Sequence, residues 1–230
     1  MAVLPWQVEV LRFSFLNLVG ESGGDFGYAT LMSSDPETVS EKRGLGVKSE
    51  EGAWLNGNLA VNKQYGRVDV IYSATMQDSP MPNAGPAFEV FEMIKAWRER
   101  FSQIDARRFG FGGVLLLPVE SVSVGYDLLR QFLPFVDFAD DMSDFLLQVN
   151  RKRKVDGLLL NNLSKWSCIE VKTLRVSSDG VAEQSSQHAV RLEFDINNAD
   201  VLGASYKPDV ESILASLEAS ALSLALKGAQ

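Results

Sequence analysis

Residues 189–197 alternate without a break. Val190, Leu192, Phe194 and Ile196 fall on one side of an extended chain, and Arg191, Glu193 and Asp195 fall on the other. A period of two is the side-chain repeat of a β-strand. An apolar row backed by a charged row requires a sheet buried on one face and wet on the other, the usual condition of an antiparallel sheet. Something helical must then cover the apolar side.

The rest of the chain supplies both partners. Residues 8–16 are rich in Val, Leu and Phe and run into the glycines Gly20, Gly23 and Gly24, which reads as a strand and a loop, with residues 27–32 as a hairpin partner. Residues 54–62 and 66–74 read as two paired strands; in the second, Val68, Val70 and Tyr72 alternate with Arg67, Asp69 and Ile71. Residues 110–119, 155–160 and 166–176 add three more strand candidates. Helical spacing begins after Pro86, where Phe88, Phe91, Ile94, Trp97, Phe101 and Ile104 recur. Further helices are expected at 121–133, on the stripe Phe138, Met142, Phe145, Leu146 and Val149, and after Pro208 on the stripe Val210, Ile213, Leu214, Leu217 and Leu224. The expected fold is α+β: one domain over residues 1–230, with a mostly antiparallel or mixed sheet backed by three to four helices. Residues 33–52 are polar without an apolar period and are expected to form a long loop. No internal repeat is evident.

Composition narrows function by exclusion. A single cysteine, Cys168, cannot form an intramolecular disulfide, and with a single histidine, His188, most His/Cys metal sites are ruled out. His188 reads as a surface loop residue and Cys168 as a small apolar filler. Lys and Arg number 22 against 30 Asp and Glu, a net charge of −8, so nucleic acid is an unfavoured partner and a basic protein a better one. No apolar run approaches the roughly 20 residues that cross a bilayer, and residues 1–15 lack a signal-peptide layout, so the chain is expected in the cytoplasm, off the membrane.

Three groups of residues bear on chemistry. Gly110, Gly112 and Gly113 precede a strand instead of joining a strand to a helix, so they read as close packing or a bulge, not a dinucleotide loop. The basic run Arg151, Lys152, Arg153 and Lys154 follows the acids Asp137, Asp140, Asp141 and Asp144, as the two ends of a helix would. Asp156, Glu170 and Lys172 form the third group, within the text Val155-Asp156 and Glu170-Val171-Lys172. Two carboxylates suit Mg²⁺, and a nearby Lys can orient a water or stabilise developing negative charge.

This pattern resembles the PD-(D/E)xK metal-dependent nucleases. The resemblance implies Mg²⁺ held by Asp156 and Glu170, catalysis by Asp156, Glu170 and Lys172, and a nucleic-acid substrate. The competing reading is a long hairpin over residues 166–197, with Glu170 and Lys172 paired to charges such as Arg191, Glu193 or Asp195 and no cofactor. The leading expectation is a noncatalytic protein-interaction module, for instance a component of a bacterial multiprotein or toxin-neutralising system. The nuclease is the first alternative, and a small-ligand binder with a pocket beside Trp54 or Trp97 is the second.

Overall fold

The computed structural model describes residues 4–19, 25–75, 81–139, 141–155, 157–176, 182–199, 203 and 209–229. In chain order the elements are β1 (Gln7–Leu16), α1 (Tyr28–Met32), β2 (Thr38–Lys42), β3 (Val47–Trp54), β4 (Gly57–Gln64), β5 (Arg67–Ala74), α2 (Ala87–Ile94), α3 (Arg98–Phe101), β6 (Arg108–Val119), α4 (Val122–Phe132), β7 (Leu146–Val155), β8 (Leu158–Val176), β9 (Ala182–Asn198) and α5 (Val210–Lys227). The nine strands form one antiparallel sheet in the order β2-β3-β4-β5-β1-β6-β9-β8-β7. The described residues are 48% strand and 26% helix, richer in strand than the sequence pattern indicates.

One face of the sheet is the core. Phe13 and Phe15 of β1, Phe109 and Phe111 of β6, Phe194 of β9 and Trp166 of β8 all point to it and are almost fully buried. Helices close over them. Phe101 of α3 packs on Phe13 with ring centroids 5.1 Å apart, Phe91 of α2 on Phe111 at 5.5 Å, and Phe132 of α4 on Trp166 at 5.2 Å. All five residues of the expected final stripe, Val210 to Leu224, are buried along α5. α5 starts where Asp209 accepts a hydrogen bond from the Ser212 backbone N–H at 3.2 Å. Glu218, 1% exposed on α5, is met by the Arg98 guanidinium of α3.

The order of elements repeats. A central strand, a helix, a meander and a covering helix occur first as β1, α1, β2 to β5 and α2–α3, then as β6, α4, β7 to β9 and α5. In each half the last strand of the meander returns to lie beside the first strand, and β1 and β6 pair at the seam. The register there sets Arg12 against Gly112, Ser14 against Gly110 and Leu16 against Arg108. The text Arg12-Phe13-Ser14-Phe15 of β1 thus reappears as Arg108-Phe109-Gly110-Phe111 of β6, related by a local two-fold axis between Ser14 and Gly110. The chain therefore does carry an internal repeat. It escapes a pattern search because only the seam strands keep the same letters.

Several expectations are corrected. Residues 33–52 are not a loop. β2 and β3 form a hairpin at the edge of the sheet, and every residue of β2 is exposed, so neither face has an apolar row to announce the strand. Glu50 of β3 is buried and accepts a hydrogen bond from the Tyr28 backbone N–H at 2.7 Å, fixing the start of α1, which was expected to be a strand. The stripe from Phe138 to Val149 is not one helix. Phe138 and Phe145 lie outside any helix and pack as a tilted pair with ring centroids 4.7 Å apart, and Leu146 begins β7. The helix after Pro86 is broken by a 3₁₀ turn at Lys95–Trp97. Pro208 lies outside the described residues.

Candidate functional site

The residues singled out for metal chemistry do not share one described site. Glu170 stands on β8 opposite His188 of β9. Its carboxylate accepts a hydrogen bond from Ser186 and lies 3.3 Å from the Lys172 ammonium and 3.6 Å from the His188 ring. The Ser186 hydroxyl and the Lys172 ammonium, with a smaller contribution from the His188 ring, hold its pKa below the ordinary carboxylate value. These contacts lie on the row of Trp166 and Cys168. The charges expected opposite Glu170 are on the other face, because strand alternation puts Arg191, Glu193 and Asp195 out of phase with it. Asp156 lies outside the described residues. Its neighbours Val155 and Leu158 pair with each other at one end of β8, and the extended chain from residue 158 to residue 170 covers roughly 40 Å at a rise of about 3.3 Å per residue. Among the described residues no group of three or more His, Cys, Asp or Glu is placed to hold a metal ion.

His188 lies within β9, and Cys168 sits against Gly125 of α4, where burial raises its thiol pKa. Trp54 and Trp97 pack on each other with ring centroids 4.5 Å apart, and Trp54 also meets Tyr72 at 4.7 Å. The run Arg151 to Lys154 does not end a helix. It lies on the edge strand β7, so its side chains alternate between faces: Arg151 reaches the ring of Phe135, while Lys152 and Lys154 project with the outward row.

A different site stands on the face opposite the helices. Arg12, Ser14, Arg67, Arg108, Gly110 and Asn197 line a trough of about 240 Å³ centred on the seam between β1 and β6. Its floor is low because two consecutive outward positions of β6, Gly110 and Gly112, carry no side chain. A second hollow of about 350 Å³ adjoins it, sharing Arg12, Gly112 and Asp195, and adds Val10, Ile71, Val114 and Leu163. Lys165 and Glu193 at its rim pair at 3.4 Å. Among the described residues, the cover on this face is a small apolar cluster in which Met81 meets Val114, Leu116 and Ala189.

The three guanidiniums of the trough are unequally satisfied. Arg67 grips Asp69 with two hydrogen bonds of 2.5 and 2.9 Å, and the buried Ser14 hydroxyl donates to the same carboxylate at 2.5 Å. Among the described residues Arg12 pairs only with Asp195, at 3.6 Å, and its buried Nε has no hydrogen-bond partner. Arg108 donates to the amide oxygen of Asn197 at 3.1 Å. Asn197 in turn accepts from Asn161 at 3.0 Å and donates to Asp195 at 2.8 Å. The arrangement is an arginine-lined concavity whose hydrogen-bond donors exceed the acceptors around them. Sequence reading passed over these residues, treating Gly110 and Gly112 as packing. The signal that marks them is the recurrence of Arg-Phe-Ser-Phe as Arg-Phe-Gly-Phe ninety-six positions later. No protein-family model, curated protein or solved structure was found to match the chain.

Proposed function

We propose that this chain is a noncatalytic interaction protein that docks a partner protein on the open face of its sheet. The observation that supports this reading is the one-sided helical cover among the described residues: helices pack on one face, and the other carries outward rows with no Phe, Trp or Tyr in any of the nine strands. The net charge of the chain favours a basic partner overall, but the patch that contacts this face is acidic. The whole chain carries −8, but Lys152 and Lys154 on this face have no ion-pair partner among the described residues, and Arg108 faces an amide. Nucleic acid is the poorer fit, since the described strands carry no aromatic platforms for bases on this face. The engaged carboxylate of Glu170 and its distance along β8 from residue 158 also weigh against a two-carboxylate metal site.

The test compares wild type with the double variant Lys152→Glu, Lys154→Glu. An acidic protein should co-purify stoichiometrically with wild type from native lysate, cross-link to β7 or the seam strands, and be lost from the variant. Retention by the variant, or cross-links confined to the helices, would overturn the reading. So would tight binding of a labelled DNA or RNA duplex. Mg²⁺- or Mn²⁺-dependent cleavage that disappears in both Asp156→Ala and Lys172→Ala would replace it with the nuclease.

A further inference from the structure

We propose that the trough at the β1–β6 seam is a binding site for an organic monocarboxylate, with the carboxylate between Arg12 and Arg108 and an apolar body in the adjoining hollow. This goes beyond partner docking and stands whether or not a protein binds the same face.

Charge selects the head group. Arg12, Arg67 and Arg108 face Asp69 and Asp195, which leaves one positive charge uncompensated in the trough. Arg67 is committed to Asp69 in a two-pronged pair. The available donors are therefore on Arg12, whose Nε is buried without a partner, and on Arg108, which holds only an amide oxygen. A guanidinium prefers a planar carboxylate or a phosphate, which it grips with paired N–H donors. A monoanion neutralises the site, whereas a phosphate dianion would leave an unpaired negative charge beside Asp195.

Symmetry places the head group. Arg12 and Arg108 are equivalent residues of the two halves, each two positions from the Ser14–Gly110 pair on opposite sides of it. Both line the same trough, so an anion over Ser14 and Gly110 is approached from both ends. The missing side chains make room for it: a Cβ on Gly110 would make ordinary contacts alone, with the Cβ atoms of Asn197 and Ser14 at 3.7 Å and the Ile196 carbonyl oxygen at 3.8 Å. Any larger side chain there would stand where the anion sits.

The neighbouring hollow supplies the body's site. It joins the trough at Arg12, Gly112 and Asp195 and is walled by Val10, Ile71, Val114 and Leu163, while its own charges Lys165 and Glu193 cancel. An apolar wall next to a cationic end suits a carboxylic acid with a short aliphatic or aromatic body.

The experiment is a titration of the full chain followed by the amide signals of Gly110 and Gly112 and the Nε–H signals of Arg12 and Arg108. The probes are hexanoate, acetate, hexanol and inorganic phosphate. Hexanoate should shift all four signals, acetate should do so more weakly, and hexanol should leave them in place. Arg12→Gln and Arg108→Gln should each weaken hexanoate by about tenfold or more. Gly110→Val should abolish the response while the melting temperature stays near wild type. Should Gly110→Val fail to fold, the two arginine variants decide. The proposal is overturned if hexanoate leaves the signals unmoved, if hexanol shifts them equally, if phosphate binds as tightly as hexanoate, or if either arginine variant binds like wild type.

Discussion

The two faces of β6 are built by opposite rules. Toward the helices it presents Phe109, Phe111, Leu115 and Leu117, each at most 2% exposed and several of them packed ring against ring. Away from the helices the same strand presents Arg108, Gly110 and Gly112, which leave space beside the buried Arg12 Nε of β1, an unspent hydrogen-bond donor among the described residues. Because successive residues of a strand point to opposite sides, one strand holds the fold together with one row and shapes a binding surface with the other. A substitution on the first row therefore acts on folding, and one on the second acts on what the molecule can hold.

The largest test of that division is Leu217→Asp in α5, which puts a charge into the packed side where Leu217 is fully buried. It should cost about 3 kcal/mol or more, read as a lowered midpoint of denaturant unfolding. An unchanged midpoint would show that the helix does not seal that face. Next is Glu50→Gln, at a buried carboxylate that anchors α1 to β3. Burial alone would raise the pKa of Glu50, but the Lys48 ammonium, the Tyr28 N–H and Lys63 outweigh it and leave the pKa below its ordinary value. A carboxyl lowered on folding stabilises the native state above its unfolded pKa of about 4.3, and that stabilisation is lost as pH falls through the lower folded value. Wild type should accordingly lose stability between about pH 5 and the depressed value, while Glu50→Gln should be about 1–3 kcal/mol less stable at neutral pH and flatter across the acid range. Parallel acid-unfolding curves for the two proteins would remove Glu50 from the account.

The open face should respond far less. Gly110→Ala adds a methyl that meets only ordinary contacts, and its effect on stability should stay within about 0.5 kcal/mol, measured by thermal unfolding. A large loss would mean that the glycine serves packing after all. The smallest effect is expected at Glu170→Gln, whose partners Ser186, Lys172 and His188 surround a carboxylate 35% exposed. Its melting temperature should match wild type at neutral pH.

The sequence was informative where a row is buried and uninformative where none is. The alternation of Val190 to Ile196 and the stripe of α5 were legible because each buries one face against the core. The β2–β3 hairpin was not, because an edge exposed on both faces leaves no period to detect. The stretch from Phe138 to Val149 misled because rings at irregular spacing and the first residues of a strand together imitate a helical stripe. Of the residues weighed for chemistry, Glu170 and Lys172 were rightly seen as neighbours, but which face they occupy depends on the β8–β9 register, and that is set by a pairing no local pattern reveals. The trough was invisible for a related reason: it is made by an absence of side chains at Gly110 and Gly112, across a seam between strands about a hundred residues apart.

That seam also governs how the molecule can assemble. Each meander closes through near neighbours in the chain, whereas Phe13 must wait for Phe111 before the two can stack at 4.5 Å. Contacts so distant in sequence close slowly, since a long intervening loop must lose its freedom first. During synthesis the first half therefore reaches the solvent with β5 already available to β1 and the other edge of β1 still unpaired. Until β6 emerges, that edge is an open template for another copy of the same strand, and the symmetry that joins the halves within one chain could equally join two nascent chains.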